Sequence, residues 1–294
     1  MPPSREDRWL TCLIFLSLAL ALVFLGINAS IFRFTGISYF PRLLAPLLCV
    51  ALQFSFFDGC YAHISPRAGF IIKSCALYAL SHVALALFVT GLQFTPFPPI
   101  DSALQRWDHF LHFDTAAALA WTASHPWFRA LLNLCYDSTD VQLALAPLVA
   151  GFAFDRRRMR VYLYAFVYAF IAGGLFYYFF PSSGPTAVYQ SPDFLNVQRL
   201  TSLKFFQVHH FQEVTTIMGG MIAFPSFHVM WAVLTTYAAL PSRRLFWGVA
   251  ALNVLVVAST VLLGWHYLVD VPAGLLLGAV SLYAGGLTDR RLAL

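Results

Sequence analysis

Residues 224–287 read FPSFHVMWAVLTTYAALPSRRLFWGVAALNVLVVASTVLLGWHYLVDVPAGLLLGAVSLYAGGL. Three apolar runs lie within this stretch, at 225–240, 245–263 and 269–287, parted by two short polar turns. The first turn carries Arg243 and Arg244; the second is only Gly264, Trp265, His266 and Tyr267. A bilayer core is crossed by about 20 apolar residues of helix. Within that core the backbone must satisfy its own hydrogen bonds, which leaves helices or closed barrels. Runs of this length joined by turns this short predict antiparallel membrane-spanning helices in an all-α fold.

The rest of the chain extends the pattern. Hydrophobic residues make up 60% and charged ones 11%, against about 45–50% and about a quarter in soluble domains. A water-soluble globule and a disordered tail are both excluded. Further spans are expected at 9–29, 42–58, 69–93, 131–153 and 161–180, giving a polytopic bundle of about eight transmembrane helices. The first run follows Arg5 and Arg8 but lacks a small-x-small cleavage site, so it reads as an anchored helix rather than a signal peptide. The expected division is two N-terminal helices in 1–68, a six-helix core in 69–288 and a short cytoplasmic tail in 289–294. The cysteines are scattered with no CxxC pair, which suits small buried hydrophobes rather than a disulfide or metal framework.

The net charge of +5 does not point to nucleic acid, because the basic residues cluster between apolar runs. Arg156–Arg158 with Arg160, Arg243 with Arg244, and Arg290 with Arg291 mark cytoplasmic loops under the positive-inside rule. Both termini then lie in the cytoplasm, and the loops 94–130, 181–224 and 264–267 lie outside. The first of these loops contains DSALQRWDHFLHFD over 101–114. With Asp101 or Ser102 as N-cap and Leu104, Trp107, Phe110 and Leu111 on one face, it reads as an amphipathic helix in the outer interface.

Chemistry concentrates at two of the outer boundaries. Pro225 suits the first turn of a helix. The N–H groups that follow it, with the Ser226 hydroxyl, would form an anion site at the helix N-terminus, with His228 just beyond. His266 and Asp270 are spaced i, i+4, so the carboxylate can accept from one imidazole nitrogen and leave the other as a nucleophile or base.

FPSFH and S-T-x5-H-x3-D resemble the second and third signature motifs of the type-2 phosphatidic acid phosphatase superfamily, PSGH and SR-x5-H-x3-D. The closer resemblance is to the branch containing inositol phosphorylceramide synthases, whose third motif reads T-x5-HY-x2-D, matched by Thr260, His266, Tyr267 and Asp270. The upstream FPSSGP turn at Phe180–Pro185 and the 101–114 loop are also similar to that branch. The resemblance implies His266 as nucleophile, Asp270 as its orienter and His228 as proton donor to the leaving oxygen. It further implies a phosphate- and substrate-binding set of Pro225, Ser226, Phe227, Ser183, Gly184, Thr260 and Tyr267, with no metal and no other cofactor. Expected partners are the bilayer, a phospholipid or lipid phosphate, and water or an alcohol as acceptor. Two motif positions depart: Thr260 stands at the Arg of SR, and Phe227 at the Gly of PSGH. The superfamily's K-x6-RP motif is missing as well, since no Arg-Pro dipeptide occurs in the chain. Arg199 and Lys204 are the outer cations that could substitute. The departures favour a transferase over a phosphatase.

Other polar clusters have plainer readings. Asp108, His109, His112 and Asp114 have metal-compatible spacing but suit a solvated helix face. His209, His210 and Glu213 suit loop polarity, Asp137 and Asp140 suit helix capping, and the pairs Gly173–Gly174 and Gly219–Gly220 suit close approach or turns. Asn28 heads a glycosylation sequon too near the first span to be used. A transporter would carry charge at mid-span or inverted repeats, and neither is evident; a catalytically inactive scaffold of the same fold is the remaining rival.

Overall fold

The structure, a computed structural model, describes residues 5–31, 65–153, 155–216, 218–220 and 222–293. The described residues form helices and no strand. In chain order these are α1 (Arg5–Ser30), α2 (Pro66–Leu92), α3 (Asp101–Phe110), α4 (Thr115–Ala123), α5 (Pro126–Phe152), α6 (Arg156–Phe179), α7 (Asn196–His209), α8 (Phe227–Ala239), α9 (Arg243–Leu262) and α10 (Asp270–Ala293). A short 3₁₀ turn, Pro185–Ala187, lies between α6 and α7.

Five of these helices, α1, α2, α6, α9 and α10, are long and apolar enough to cross a membrane, and the chain is an integral membrane protein. The expected span at 42–58 lies outside the described residues. The helix expected at 131–153 starts earlier, at Pro126, and is not one of the five. Starting there puts Asp137 and Asp140 within the helix on its exposed surface, away from a cap. The run at 225–240 yields only the 13 residues of α8, about 20 Å at 1.5 Å per residue. The single helix expected over 101–114 is broken: α3 ends at Phe110, His112 adopts φ 56°, and Asp114 caps α4 by accepting from Ala116 and Ala117 N–H at 2.8 and 3.2 Å.

Ion pairs define one end of the bundle. Asp7 at the start of α1 meets Lys73 of α2 at 2.5 Å, and Asp289 near the end of α10 meets Arg160 of α6 at 2.7 Å and Arg157 at 3.5 Å. Further along, Asn28 of α1 donates to the Gly91 carbonyl of α2 at 2.8 Å. The two helices therefore run parallel, and the sequon asparagine is buried between them. Asn253 of α9 joins α8 by donating to the Ala232 carbonyl at 2.9 Å and to the hydroxyls of Thr235 and Thr236 at 3.0 and 2.7 Å.

Small residues let the helices meet closely. A Cβ on Gly174 of α6 would stand 2.6 Å from Leu92, and one on Gly285 of α10 would stand 2.8 Å from the Val161 carbonyl of α6. For the next residue, Gly286, no neighbouring helix among the described residues places an atom within 4 Å of the would-be Cβ. Gly285→Ala is therefore expected to lower stability by about 1–3 kcal/mol through overpacking, whereas Gly286→Ala gains helix propensity at no steric cost. Thermal unfolding of the two variants in one detergent checks this; equal melting temperatures would contradict the close α6–α10 contact.

Candidate active site

The second histidine motif is shaped by the turn that ends α9. The backbone N–H groups of Trp265 and His266 both donate to the Thr260 carbonyl, at 3.0 and 2.9 Å. Gly264 allows this with φ 73°, where a Cβ would also strike Phe194 at 2.9 Å. The Thr260 hydroxyl bonds back to the Val257 carbonyl at 2.7 Å, so it serves its own helix. His266 then presents Nδ1 to Asp270 Oδ2 at 3.0 Å, and the same oxygen accepts the Tyr267 N–H at 3.0 Å. With the carboxylate ionised, Nδ1 carries the ring proton and Nε2 keeps its lone pair.

The first histidine motif lies opposite. Ser226 caps α8 by accepting the Val229 N–H at 3.4 Å. Pro225 therefore precedes the cap instead of occupying the first helical position, which belongs to Phe227. The Phe227 ring turns into the core against Phe170 at 4.9 Å between centroids and fills the space left by Gly173. It packs the bundle and does not line the histidine pocket. His228 comes within 5.9 Å of His266, ring centre to ring centre. It stacks on Tyr136 of α5 at 4.1 Å and 25°. Tyr136 in turn stacks on Trp265 at 5.2 Å and 8°.

Two buried acids hold this geometry, and the sequence reading placed neither in the site. Asp101 is not an N-cap: α3 makes no side-chain cap. Its Oδ1 accepts from Ser182 Oγ at 2.7 Å, from the N–H groups of Ser183 and Gly184 at 3.1 and 3.0 Å, and from the Tyr267 hydroxyl at 3.2 Å. Asp108 accepts the N–H groups of Leu268 and Val269 at 2.8 and 3.0 Å. Instead of a solvated face, Asp101, Leu104 and Asp108 form the buried stripe of α3. Their i, i+3, i+7 spacing was the available signal; acids in an apolar stripe are easily read as solvent-facing. Burial pushes both carboxyls upward, while the hydrogen bonds pull them back. Tyr267, held between Asp101 and the Gly184 carbonyl, is likewise raised by burial.

The pocket between these elements is lined by His228, His266, Tyr136, Ser183, Trp265 and Gly220, among others. Among the described residues, no Lys or Arg side chain is part of that lining. Lys204 is buried just behind it, its ammonium donating to the carbonyls of Gly219 and Gly220 at 3.1 and 2.6 Å; burial lowers it to about 8. Arg199 lies outside the pocket. It donates to the carbonyls of Phe194, Ser191 and Pro192 beside a separate groove that shares Thr186 with the histidine pocket. His209 meets Tyr177 Oη at 3.0 Å and Ser183 Oγ at 3.4 Å, and burial lowers it to about 4. The spacing Asp108, His109, His112, Asp114 does not converge: Asp108 is a tether, Asp114 a cap, and His109 pairs with Tyr189 at 3.2 Å.

Replacing Asp108 with Ala strands two part-buried N–H groups and frees the turn that carries Asp270. The expected cost is about 2–4 kcal/mol of stability and a loss of turnover larger than the stability loss explains. Activity measured well below the melting temperature checks this, and wild-type turnover would contradict the tethering role.

Neither the curated proteins nor the solved structures give a match. The family model described as the PAP2 superfamily matches residues 102–284. That match covers well over half the chain, begins inside α3 and takes in both histidine motifs; the chain belongs to the PAP2 superfamily.

Proposed function

We propose that the protein is a membrane phosphotransferase acting on a lipid phosphate or phospholipid headgroup through a phosphohistidine at His266. The superfamily comprises phosphatases and phosphotransferases. The observation that carries the reading is the pairing of Asp270 with His266 Nδ1, 3.0 Å long and buried, with His228 across the pocket.

The chemistry runs in two displacements. His266 Nε2 attacks phosphorus as the bond to the leaving oxygen breaks, and His228 gives that oxygen a proton. Asp270 offsets the positive charge gained by the His266 ring. In the second step an acceptor hydroxyl attacks phosphorus, the N–P bond breaks, and His228 recovers a proton from the acceptor. An alcohol as acceptor gives transfer, and water gives hydrolysis. The branch-like third motif and the lack of Arg at Thr260 favour transfer from a phospholipid headgroup; a lipid phosphate phosphatase is the alternative. Phosphate oxygens are held by the Ser183 hydroxyl, the α8 N-terminus and the field of Lys204. The site faces the extracytoplasmic side, since the arginine clusters mark the opposite end of the bundle.

In mixed micelles containing phospholipid and an acceptor alcohol, His266→Ala and Asp270→Asn are expected to abolish headgroup transfer while each variant still purifies as a folded particle. Near-normal turnover in either variant sinks the assignment, and release of inorganic phosphate without transfer favours the phosphatase.

Lys204 adds a pH signature. It is charged below about 8 and neutral above, so anion affinity should fall as pH rises through that value. KM for the lipid should climb above pH 8 in the wild type. In Lys204→Gln it should be elevated and flat across the same range. A wild-type KM that ignores this range would remove Lys204 from substrate binding.

A further inference from the structure

Tyr136 has no part in the motifs that define the site, yet it makes the closest ring contact to either histidine. It stacks on His228 with centroids 4.1 Å apart and planes 25° apart, while its other neighbour, Trp265, lies nearly parallel at 5.2 Å and 8°. Trp231 abuts His228 edge-on at 5.4 Å. The Tyr136 hydroxyl is 3.4 Å from His228 Nδ1, too long to rank as a strong hydrogen bond. The ring face therefore matters more than the hydroxyl.

From this stack we infer that Tyr136 is a positioning residue for proton donation by His228. The inference rests on the reading of His228 as the proton donor. An aromatic face beneath an imidazole favours its charged form through the ring quadrupole, most strongly where water is excluded. His228 needs that help, because the neighbouring His266 becomes positive as it takes the phosphoryl group. The stack also fixes the imidazole plane, so that the proton is delivered along one direction as the P–O bond breaks. Trp265 backs Tyr136 and belongs to the same turn as His266. The His228 half and the His266 half of the site are thereby joined through aromatic rings.

This role separates from simple packing by leaving group. An alkoxide must be protonated as it departs, whereas a nitroaryloxide departs without a proton. Wild type, His228→Ala, Tyr136→Leu and Tyr136→Phe should be compared in mixed micelles on an alkyl phosphate and a nitroaryl phosphate. Tyr136→Leu is expected to lower kcat/KM, which reports the first displacement, by roughly 10- to 30-fold on the alkyl phosphate. On the nitroaryl phosphate kcat/KM should fall less than about threefold, because the second displacement, in which His228 acts as base, does not enter it. Tyr136→Phe, which keeps the face, should recover most of the alkyl activity. If Tyr136→Leu does not give a folded particle, Tyr136→Met removes the face at similar volume. Equal losses on both substrates, with His228→Ala still discriminating between them, would overturn the role of Tyr136. If His228→Ala itself does not discriminate, the assignment of His228 as proton donor fails, and the inference from the stack fails with it.

Discussion

The bond between Asp270 Oδ2 and His266 Nδ1 is the contact on which the site depends. Both groups are buried, where an unpaired carboxylate is expensive, so the pairing fixes which imidazole nitrogen carries the proton. Much of the surrounding structure holds that pair in register. The Thr260 carbonyl closes the turn, Asp108 grips the two N–H groups just before Asp270, and Asp101 ties Tyr267 to the Ser182–Gly184 turn. Two acids from one short helix thus position two separate loops.

A consequence is an unusual economy of charge. Among the described residues the pocket is lined without a cation, and the ammonium of Lys204 just behind it is held by the carbonyls of Gly219 and Gly220. Among the described residues no carboxylate pairs with it. The N-terminus of α8 adds a partial positive charge from the same side as His228. The arginine clusters are used differently: Arg157 and Arg160 lock α6 to α10 at Asp289, at the end of the bundle away from the histidines.

The sequence was most legible where apolar runs were long. The spans in α1, α2, α6, α9 and α10 could be read from hydropathy because little else can bury such runs. The His266–Asp270 pair could be read because helical spacing alone brings i and i+4 together. Legibility failed where polar residues are buried. Asp101 and Asp108 read as cap and surface, because charge in a loop is normally solvated; only the tertiary contacts with two distant turns reveal their use. Tyr136 was invisible for a related reason. Its function depends on which ring it faces, and one aromatic among many carries no such information. The motif position of Phe227 suggests a pocket-facing side chain, whereas the helical step of about 100° between Phe227 and His228 turns that ring into the core against Phe170 and Gly173.

In the proposed reaction His266 Nε2 takes the phosphoryl group. Rapid acid- or base-quench of wild-type protein with substrate labelled in the reacting phosphate, followed by peptide mapping, tests this. Label is expected on His266, stable in base, labile in acid and chased by added acceptor alcohol. Turnover with no label on the protein at any quench time, or label on a residue other than His266, would contradict it.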